Sequence, residues 1–315
     1  MPRDMAGGAS HRTLGRAFLG LAVVTYGLLV FGASVRVHGA GLACPDWPLC
    51  FGEVVPQLDF LIFLEWGHRA LASVVSFGFL TLGIFALRNH DARRRVGGVL
   101  LVAAVTLAAQ IVLGGLTVLH LLAYWSVTLH LLFGNFFCAL LLLIGVRLLD
   151  AAPARAPIAG AARGIVWALA VMVFVQMALG GLVSSNYAGL ACTEWPTCNG
   201  GVWFPAFDGI VGMQIFHRLG AYTLAALAVA FVVVTRDTPD LRRPAWLLAG
   251  LVACQVALGV ANVLLAMPVE IAILHSAFAD LIVLSTAWAV ARTTAHAVRA
   301  PAPKAVVFGA TPEHA

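Results

Sequence analysis

Eight long apolar stretches constrain the fold of this chain more than any other feature. A helix needs roughly 20 mostly apolar residues to cross the hydrocarbon core of a bilayer. The stretches are residues 16–37, 62–87, 97–119, 125–149, 164–185, 211–235, 245–265 and 270–291. Only 10% of the residues are charged, against about 25% in soluble domains. The sequence therefore predicts an all-α polytopic membrane protein with eight transmembrane helices.

The basic residues predict the orientation of these helices. All but three of the 19 Lys and Arg residues fall on one side of the predicted spans, and charged segments at 88–95 and 236–244 separate spans on that side. Cytoplasmic segments are rich in Lys and Arg, so we expect both termini in the cytoplasm and the chain in the cell (inner) membrane. The exceptions, Arg36, Arg69 and Arg218, lie near the outer ends of spans. This topology explains the net charge of +5 without a nucleic-acid partner.

An internal duplication organises the chain. Residues 40–50 read AGLACPDWPLC and residues 188–198 read AGLACTEWPTC, 148 positions later. Because four spans separate the copies, both have the same topology, and such repeats are usually related by an axis along the membrane normal. The sequence predicts two repeated four-helix bundles. The expected divisions are a first half (1–150), a cytoplasmic linker (151–163), a second half (164–295) and a cytoplasmic tail (296–315).

Four histidines occupy equivalent places in the predicted helices. They are His68, His130, His217 and His275. Each follows the outer start of an even-numbered span by about five to seven residues, roughly 8–10 Å below the outer surface. Ionisable groups in spans face the bundle interior, and neutral imidazole is a common ligand of haem iron. Two histidines at one depth on neighbouring helices suit one haem, so we expect one haem per half, with interhelical hydrogen bonding as the alternative.

Other polar residues in the spans are interpreted as structural. Gln110, Gln176 and Gln255 each precede glycines, a combination that favours close packing and hydrogen bonds between helices. Contact with a cofactor is the alternative for these glutamines. His38 and His120 lie at outer span ends, where we expect interfacial residues, or residues that line an entrance or hold a haem carboxylate.

Two cysteine pairs lie in the predicted outer loops. Cys44 and Cys50 are in the first loop, and Cys192 and Cys198 are in the third. Because the outer side of the membrane is oxidising, we expect one disulfide in each loop. A zinc site from the four cysteines is the alternative, although neither loop has C-x-x-C spacing. Each disulfide either staples its loop or takes part in redox exchange, and both interpretations stay open.

One difference between the halves points to the first half as the reactive one. Glu65 lies three residues before His68, whereas Gln214 lies three residues before His217. Residues three apart share a helix face, and a carboxylate can take up a proton or stabilise positive charge where an amide cannot. We expect chemistry in the first half and a retained redox cofactor in the second. An ion pair between Glu65 and Arg69 is the alternative.

Two arginines directly follow histidines of the predicted sites. Arg69 follows His68, and Arg218 follows His217. A guanidinium pairs strongly with a carboxylate, so we expect these arginines to contact the carboxylates of a bound porphyrin. The alternative is an interfacial arginine that extends its head group to the membrane surface.

In their order along the chain, these motifs resemble the haem A synthase family. The resemblance covers nearly all of residues 15–295 and rests on the eight spans, the duplication, the loop cysteines, Glu-x-x-His-Arg at 65–69 and the three later histidines. It implies oxidation of the C8 methyl group of haem O to the formyl group of haem A. The reaction would proceed by successive hydroxylations with oxygen from water. Haem O and haem A carry a farnesyl tail, which fits a site surrounded by membrane lipid.

The resemblance also implies roles for individual residues. The iron ligands would be His68 and His130 for the substrate haem, and His217 and His275 for a haem b. Glu65, Cys44 and Cys50 would assist the reaction. The expected partners are a haem O synthase (a farnesyltransferase) and an electron acceptor such as a quinone.

Three other functions share some of these features. A quinol-linked di-haem cytochrome b needs the four histidines, but it gives no reason for Glu65 to differ from Gln214. A thiol-oxidising quinone reductase accounts for the loop cysteines but does not need buried histidines. A transporter more often has inverted repeats and broken spans, and neither is evident in the sequence.

Overall fold

The computed structural model describes residues 3–150, 158 and 160–294. These residues form eight helices long and apolar enough to cross a membrane, with mean hydropathies of 1.6 to 2.4 in their most apolar segments. The helices are α1 (Arg3–Val37), α2 (Phe60–Arg88), α3 (His90–Leu119), α4 (Tyr124–Leu149), α5 (Gly160–Ser185), α6 (Gly209–Thr235), α7 (Pro239–Leu264) and α8 (Val269–Thr294). The predicted all-α polytopic architecture is confirmed.

Two connections between helices are shorter than the sequence suggests. Asn89 alone separates α2 from α3: its backbone N–H bonds to the last turn of α2, and its side chain accepts the N–H of Ala92 at 2.9 Å. The arginines at 93–95 therefore lie in the first turns of α3. Likewise, α7 begins at Pro239, because proline suits the first position of a helix, and Pro244 lies inside α7.

Each half of the chain has its own hydrophobic core. Phe18, Phe79 and Phe137 are buried together in the first half, and Phe231 and Leu241 belong to the core of the second. Among the described residues, the two cores have no member in common. Because lipid is as apolar as these side chains, close packing rather than exclusion of water holds such helices together.

Four helices form the seam, which we define as the contact of α1 and α4 with α5 and α8. Across it, α1 packs on α8, α4 packs on α5, and α4 packs on α8. Because α1 corresponds to α5 and α4 corresponds to α8, the α1–α8 and α4–α5 contacts are equivalent. Such equivalent contacts are expected where two similar surfaces meet about a two-fold axis. The boundaries 1–150 and 164–295 and the cytoplasmic termini stay predictions. Most of the linker and all of the tail lie outside the described residues.

A glycine in α4 allows close packing of α1 against α4. A Cβ at Gly145 would lie 2.6 Å from Cδ2 of Leu19 and 3.1 Å from the carbonyl oxygen of Gly15. We expect Gly145→Ala to lower the midpoint of thermal unfolding in detergent by several degrees, because overpacking costs roughly 1–3 kcal/mol. Gly20→Ala is the control, since a Cβ there has no neighbour within 4 Å. Equal midpoints for the two variants would contradict the described packing.

Candidate functional site

Each of the four histidines predicted as ligands faces a glycine on the preceding helix. The pairs are Gly32 with His68, Gly114 with His130, Gly180 with His217 and Gly259 with His275. A Cβ at Gly32 would lie 2.9 Å from Cε1 of the histidine, and a Cβ at the other three glycines would lie 3.2 Å from it. Small residues let neighbouring helices approach closely. Each glycine therefore makes room for one imidazole.

The structure brings the histidines together in the pairs expected from the sequence. The imidazole of His68 on α2 lies within electrostatic range of that of His130 on α4, and His217 on α6 has the same relation to His275 on α8. Bundle cofactors are held by side chains on facing helices. This proximity is compatible with two ligands of one group, and the ligation itself stays a prediction.

The environment of the rings fits a bound metal group. Nδ1 of His68, His130 and His275 is buried without a hydrogen-bond partner, and each of these residues is partly buried. A buried polar atom without a partner is rare in proteins and calls for an explanation such as a bound ion or water. Neutral imidazoles in such surroundings are compatible with ligands of haem iron.

Three glutamines make the predicted hydrogen bonds between helices, and the partner in each case is a histidine of the candidate site. The side-chain amides donate from Gln110 to His130 (3.3 Å), from Gln176 to His217 (3.1 Å) and from Gln255 to His275 (3.2 Å). The signal in the sequence is a glutamine four residues before three of the four glycines that face a histidine. Residues four apart share a helix face, so the glutamine and the glycine meet the same neighbouring helix.

His68 is the exception to this pattern. Leu28 precedes Gly32 by four residues and lies 148 positions before Gln176, so it occupies the place of a glutamine. The ring of Phe31 meets the imidazole edge-on, with centroids 6.2 Å apart. Among the described residues, His68 therefore has an aromatic contact and no bond from a glutamine.

Glu65 is buried, and both its carboxylate oxygens are bound. Only 4% of the residue is exposed. Oε2 accepts the backbone N–H of Cys44 at 2.8 Å, and Oε1 accepts from Nη2 of Arg69 at 2.5 Å. The ion pair given as the alternative is thus present, and a second bond ties the carboxylate to the loop. A buried ion pair is held when additional hydrogen bonds satisfy its atoms, so Glu65 is a fixed negative charge one turn from His68.

The equivalent position in the second half carries no charge. Gln214 is 5% exposed, its amide donates to the carbonyl of Gly189 at 3.2 Å, and its Oε1 is buried without a partner. Both side chains thus link their helix to the preceding loop. Only the first half combines this link with a carboxylate.

The two arginines that follow histidines are bound to the loops. Arg69 donates through Nη1 to the carbonyls of Asp46 and Leu49, both at 2.7 Å, and through Nη2 to Glu65. Arg218 donates to two carbonyls of the second loop, at 2.9 and 3.1 Å. Their contact with porphyrin carboxylates stays a prediction.

The predicted disulfides are confirmed. Cys44 is bonded to Cys50, and Cys192 is bonded to Cys198. The zinc alternative is excluded, because all four sulfurs are in S–S bonds and no thiolate remains. Cys138 and Cys254, within α4 and α7, are free cysteines.

An acidic residue stabilises each disulfide loop, which the sequence analysis did not foresee. Asp46 accepts the backbone N–H groups of Phe51 and Gly52, at 2.6 and 2.8 Å, and Glu194 accepts those of Gly200 and Gly201. The bond from Gly52 is the main cause that holds the pKa of Asp46 below its ordinary value of 3.8. A lowered pKa means that this contribution is present at neutral pH and is lost as the pH falls below 3.8.

Comparison with known proteins agrees with this geometry. Residues 15–61 and 57–287 match the COX15-CtaA family, described as cytochrome oxidase assembly proteins. The chain belongs to the COX15-CtaA family. The matched residues include both disulfide loops and all four histidines, so the family extends over the whole candidate site.

Relatives from several bacteria carry the name heme A synthase. The one from Shewanella oneidensis is 31% identical over 308 residues, which cover 84% of this chain and 91% of the relative. The one from Symbiobacterium thermophilum is 31% identical over 244 residues, which cover 73% of this chain and 79% of the relative. The one from Halalkalibacterium halodurans is 27% identical over 267 residues, which cover 82% of this chain and 88% of the relative.

The disulfide assignment predicts which thiols react. After denaturation without a reductant, alkylation followed by mass spectrometry should label Cys138 and Cys254 alone, because the other four of the 6 cysteines are in S–S bonds. Reduction before alkylation should expose all 6. Labelling of a loop cysteine without reduction would contradict the described loops.

Proposed function

We propose that this chain is a haem A synthase, an oxidoreductase that converts the C8 methyl group of haem O to the formyl group of haem A. The observation that carries the proposal is the buried, charged Glu65 beside the first histidine pair, where the second pair has the neutral Gln214. Two similar histidine pairs alone suit any di-haem cytochrome, and it is this difference that gives the halves different tasks. The names of the relatives support the same conclusion.

In this proposal the first pair binds substrate and the second holds a cofactor. His68 and His130 bind the iron of haem O, and His217 and His275 bind that of a haem b. The glycines opposite the rings and the Nδ1 atoms without partners support both assignments. When bound, haem b would supply a one-electron redox centre, and an acceptor such as a quinone would be the expected electron-transfer partner.

The role of Glu65 follows from how its carboxylate is held. Oxidation of a methyl group builds up positive charge at its carbon, and a prearranged negative charge in a low-dielectric site stabilises such a transition state. The N–H of Cys44 and the guanidinium of Arg69 keep the carboxylate in one position. Because both oxygens are already acceptors, this arrangement favours electrostatic stabilisation over uptake of a proton.

The disulfide between Cys44 and Cys50 acts in this account through Glu65. The backbone N–H that Glu65 accepts belongs to Cys44 itself, and Arg69 also binds this loop. The disulfide therefore positions the carboxylate and does not need to exchange electrons in each turnover. Cys192 and Cys198 hold the corresponding loop of the cofactor half.

The membrane setting completes the proposal. The chain lies in the inner membrane with both termini in the cytoplasm, which the distribution of arginines supports. The two haem sites are then near the outer surface. A haem O synthase in the same membrane supplies the substrate, whose farnesyl tail stays in lipid.

Replacing Glu65 tests the proposal. Glu65→Gln removes the charge, and Gln214 shows that an amide is accommodated at the equivalent place. We expect haem A formation from haem O to fall by about a hundredfold, with unchanged haem content, in haem extracted from membranes and separated by chromatography.

Asp59→Asn is the matched control, because Asp59 caps the same helix through Ile62 and asparagine caps equally well. It should leave haem A formation unchanged. Normal haem A formation by Glu65→Gln would show that the carboxylate has no catalytic role. Loss of the bound haem would show that Glu65 is structural.

A further inference from the structure

Arg36 reaches across the seam from the first half into the second. It is the next-to-last residue of α1 and is exposed. Its Nη1 donates to the hydroxyl of Ser184 on α5, and its Nη2 donates to that of Ser276 on α8 at 3.2 Å. A guanidinium of the first half is thus held by two hydroxyls of the second.

The charge of Arg36 is not balanced by an ion pair. No carboxylate among the described side chains (residues 11–150, 158 and 160–293) lies within ion-pair distance of it. Asp280 on α8, 3% exposed, is within electrostatic range and also interacts with Asn135 on α4. Charged groups in spans are expected to have a partner of opposite charge. Because Arg36 is exposed and has no ion pair with a described residue, its guanidinium can accept an anionic ligand as that partner.

The second histidine pair lies next to this guanidinium. Ser276 directly follows His275 in the chain, and Arg36 is within electrostatic range of His275 itself. A haem held by His275 and His217 carries two carboxylates at its edge. Guanidinium binds carboxylate through two parallel hydrogen bonds, and it does so better than lysine.

The halves differ at this place. Arg36 and Ser184 are 148 positions apart and contact each other, and Asn135 and Asp280, 145 positions apart, lie close enough to interact. Contacts between equivalent positions mark the two-fold axis of the seam. Because the counterpart of Arg36 is a serine and that of Ser276 is Leu131, the first half has no equivalent set.

We propose that Arg36, supported by Ser184 and Ser276, binds a carboxylate of the haem that His217 and His275 hold. The inference rests on the proposed function and extends it. The retained cofactor would have an anchor from the opposite half. For the substrate haem, which must leave as product, the equivalent positions carry Ser184 and Leu131, so the described residues offer no equivalent anchor. Arg218, which the sequence suggested for this task, also donates to two carbonyls of its loop, and its contact with a haem carboxylate stays a prediction.

Haem esters test this contact directly. In a His130→Ala background, so that only the second histidine pair is complete, haem-free protein in detergent is titrated with protohaem and with protohaem dimethyl ester. Binding is followed by absorbance. We expect protohaem to bind about tenfold more tightly than the ester, because a charged hydrogen bond is lost with the ester. Arg36→Gln should abolish this preference by weakening protohaem alone, and Arg36→Lys should keep part of it.

Equal weakening of both ligands by Arg36→Gln would overturn the proposal and show that Arg36 only stabilises the seam. An unchanged preference, or no binding of protohaem by the background protein, would overturn it as well. Two controls should keep the full preference: Asp280→Asn, which shows that Arg36 does not act through Asp280, and Arg147→Gln, at the far end of α4. A lost preference in Asp280→Asn would contradict the contact. If the contact holds but the unaltered chain forms no haem A, the proposed function alone fails.

Discussion

The approach of four histidine rings to the backbone of four glycines is the contact on which the rest of this structure depends. In each case a Cβ on the glycine would lie 2.9 to 3.2 Å from Cε1 of the histidine. The ring can occupy that place only because the neighbouring helix has no side chain there. The contact joins α1 to α2, α3 to α4, α5 to α6 and α7 to α8, and so sets both the helix packing and the positions of the imidazoles.

Some of the differences between the two halves lie at or near the candidate sites. The first half has a carboxylate at Glu65 and an apolar residue, Leu28, four positions before the glycine that faces its first histidine. The second half has amides, Gln214 and Gln176, at the equivalent places, and the guanidinium of Arg36 comes to it across the seam. A reactive site with an exchangeable ligand and a second site with a retained one would need differences of this kind.

Much of this arrangement could be predicted from the sequence, and the rest depends on packing. The length of the apolar stretches predicted eight helices. The repeated cysteines in the outer loops predicted both disulfides, and the histidines at equivalent depths predicted the histidine pairs. The ion pair of Arg69 with Glu65 was foreseen as an alternative. The histidine partner of Gln110 and the loop carbonyls that Arg69 binds could not be predicted, because a polar residue in a span bonds to whichever group the neighbouring helix or loop presents. The connection at Asn89 was missed for a related reason, since one side chain that caps two helices leaves no loop-like composition.

The haem composition of the purified chain tests the central claim most directly. The measurement is the visible spectrum together with chromatographic quantification of the extracted haems, from cells that supply haem O. The account predicts two haems per chain, both with the spectrum of iron held by two imidazoles: one haem b, and one that is haem O or haem A. A colourless protein, a single haem, or haem b alone in both sites would contradict it.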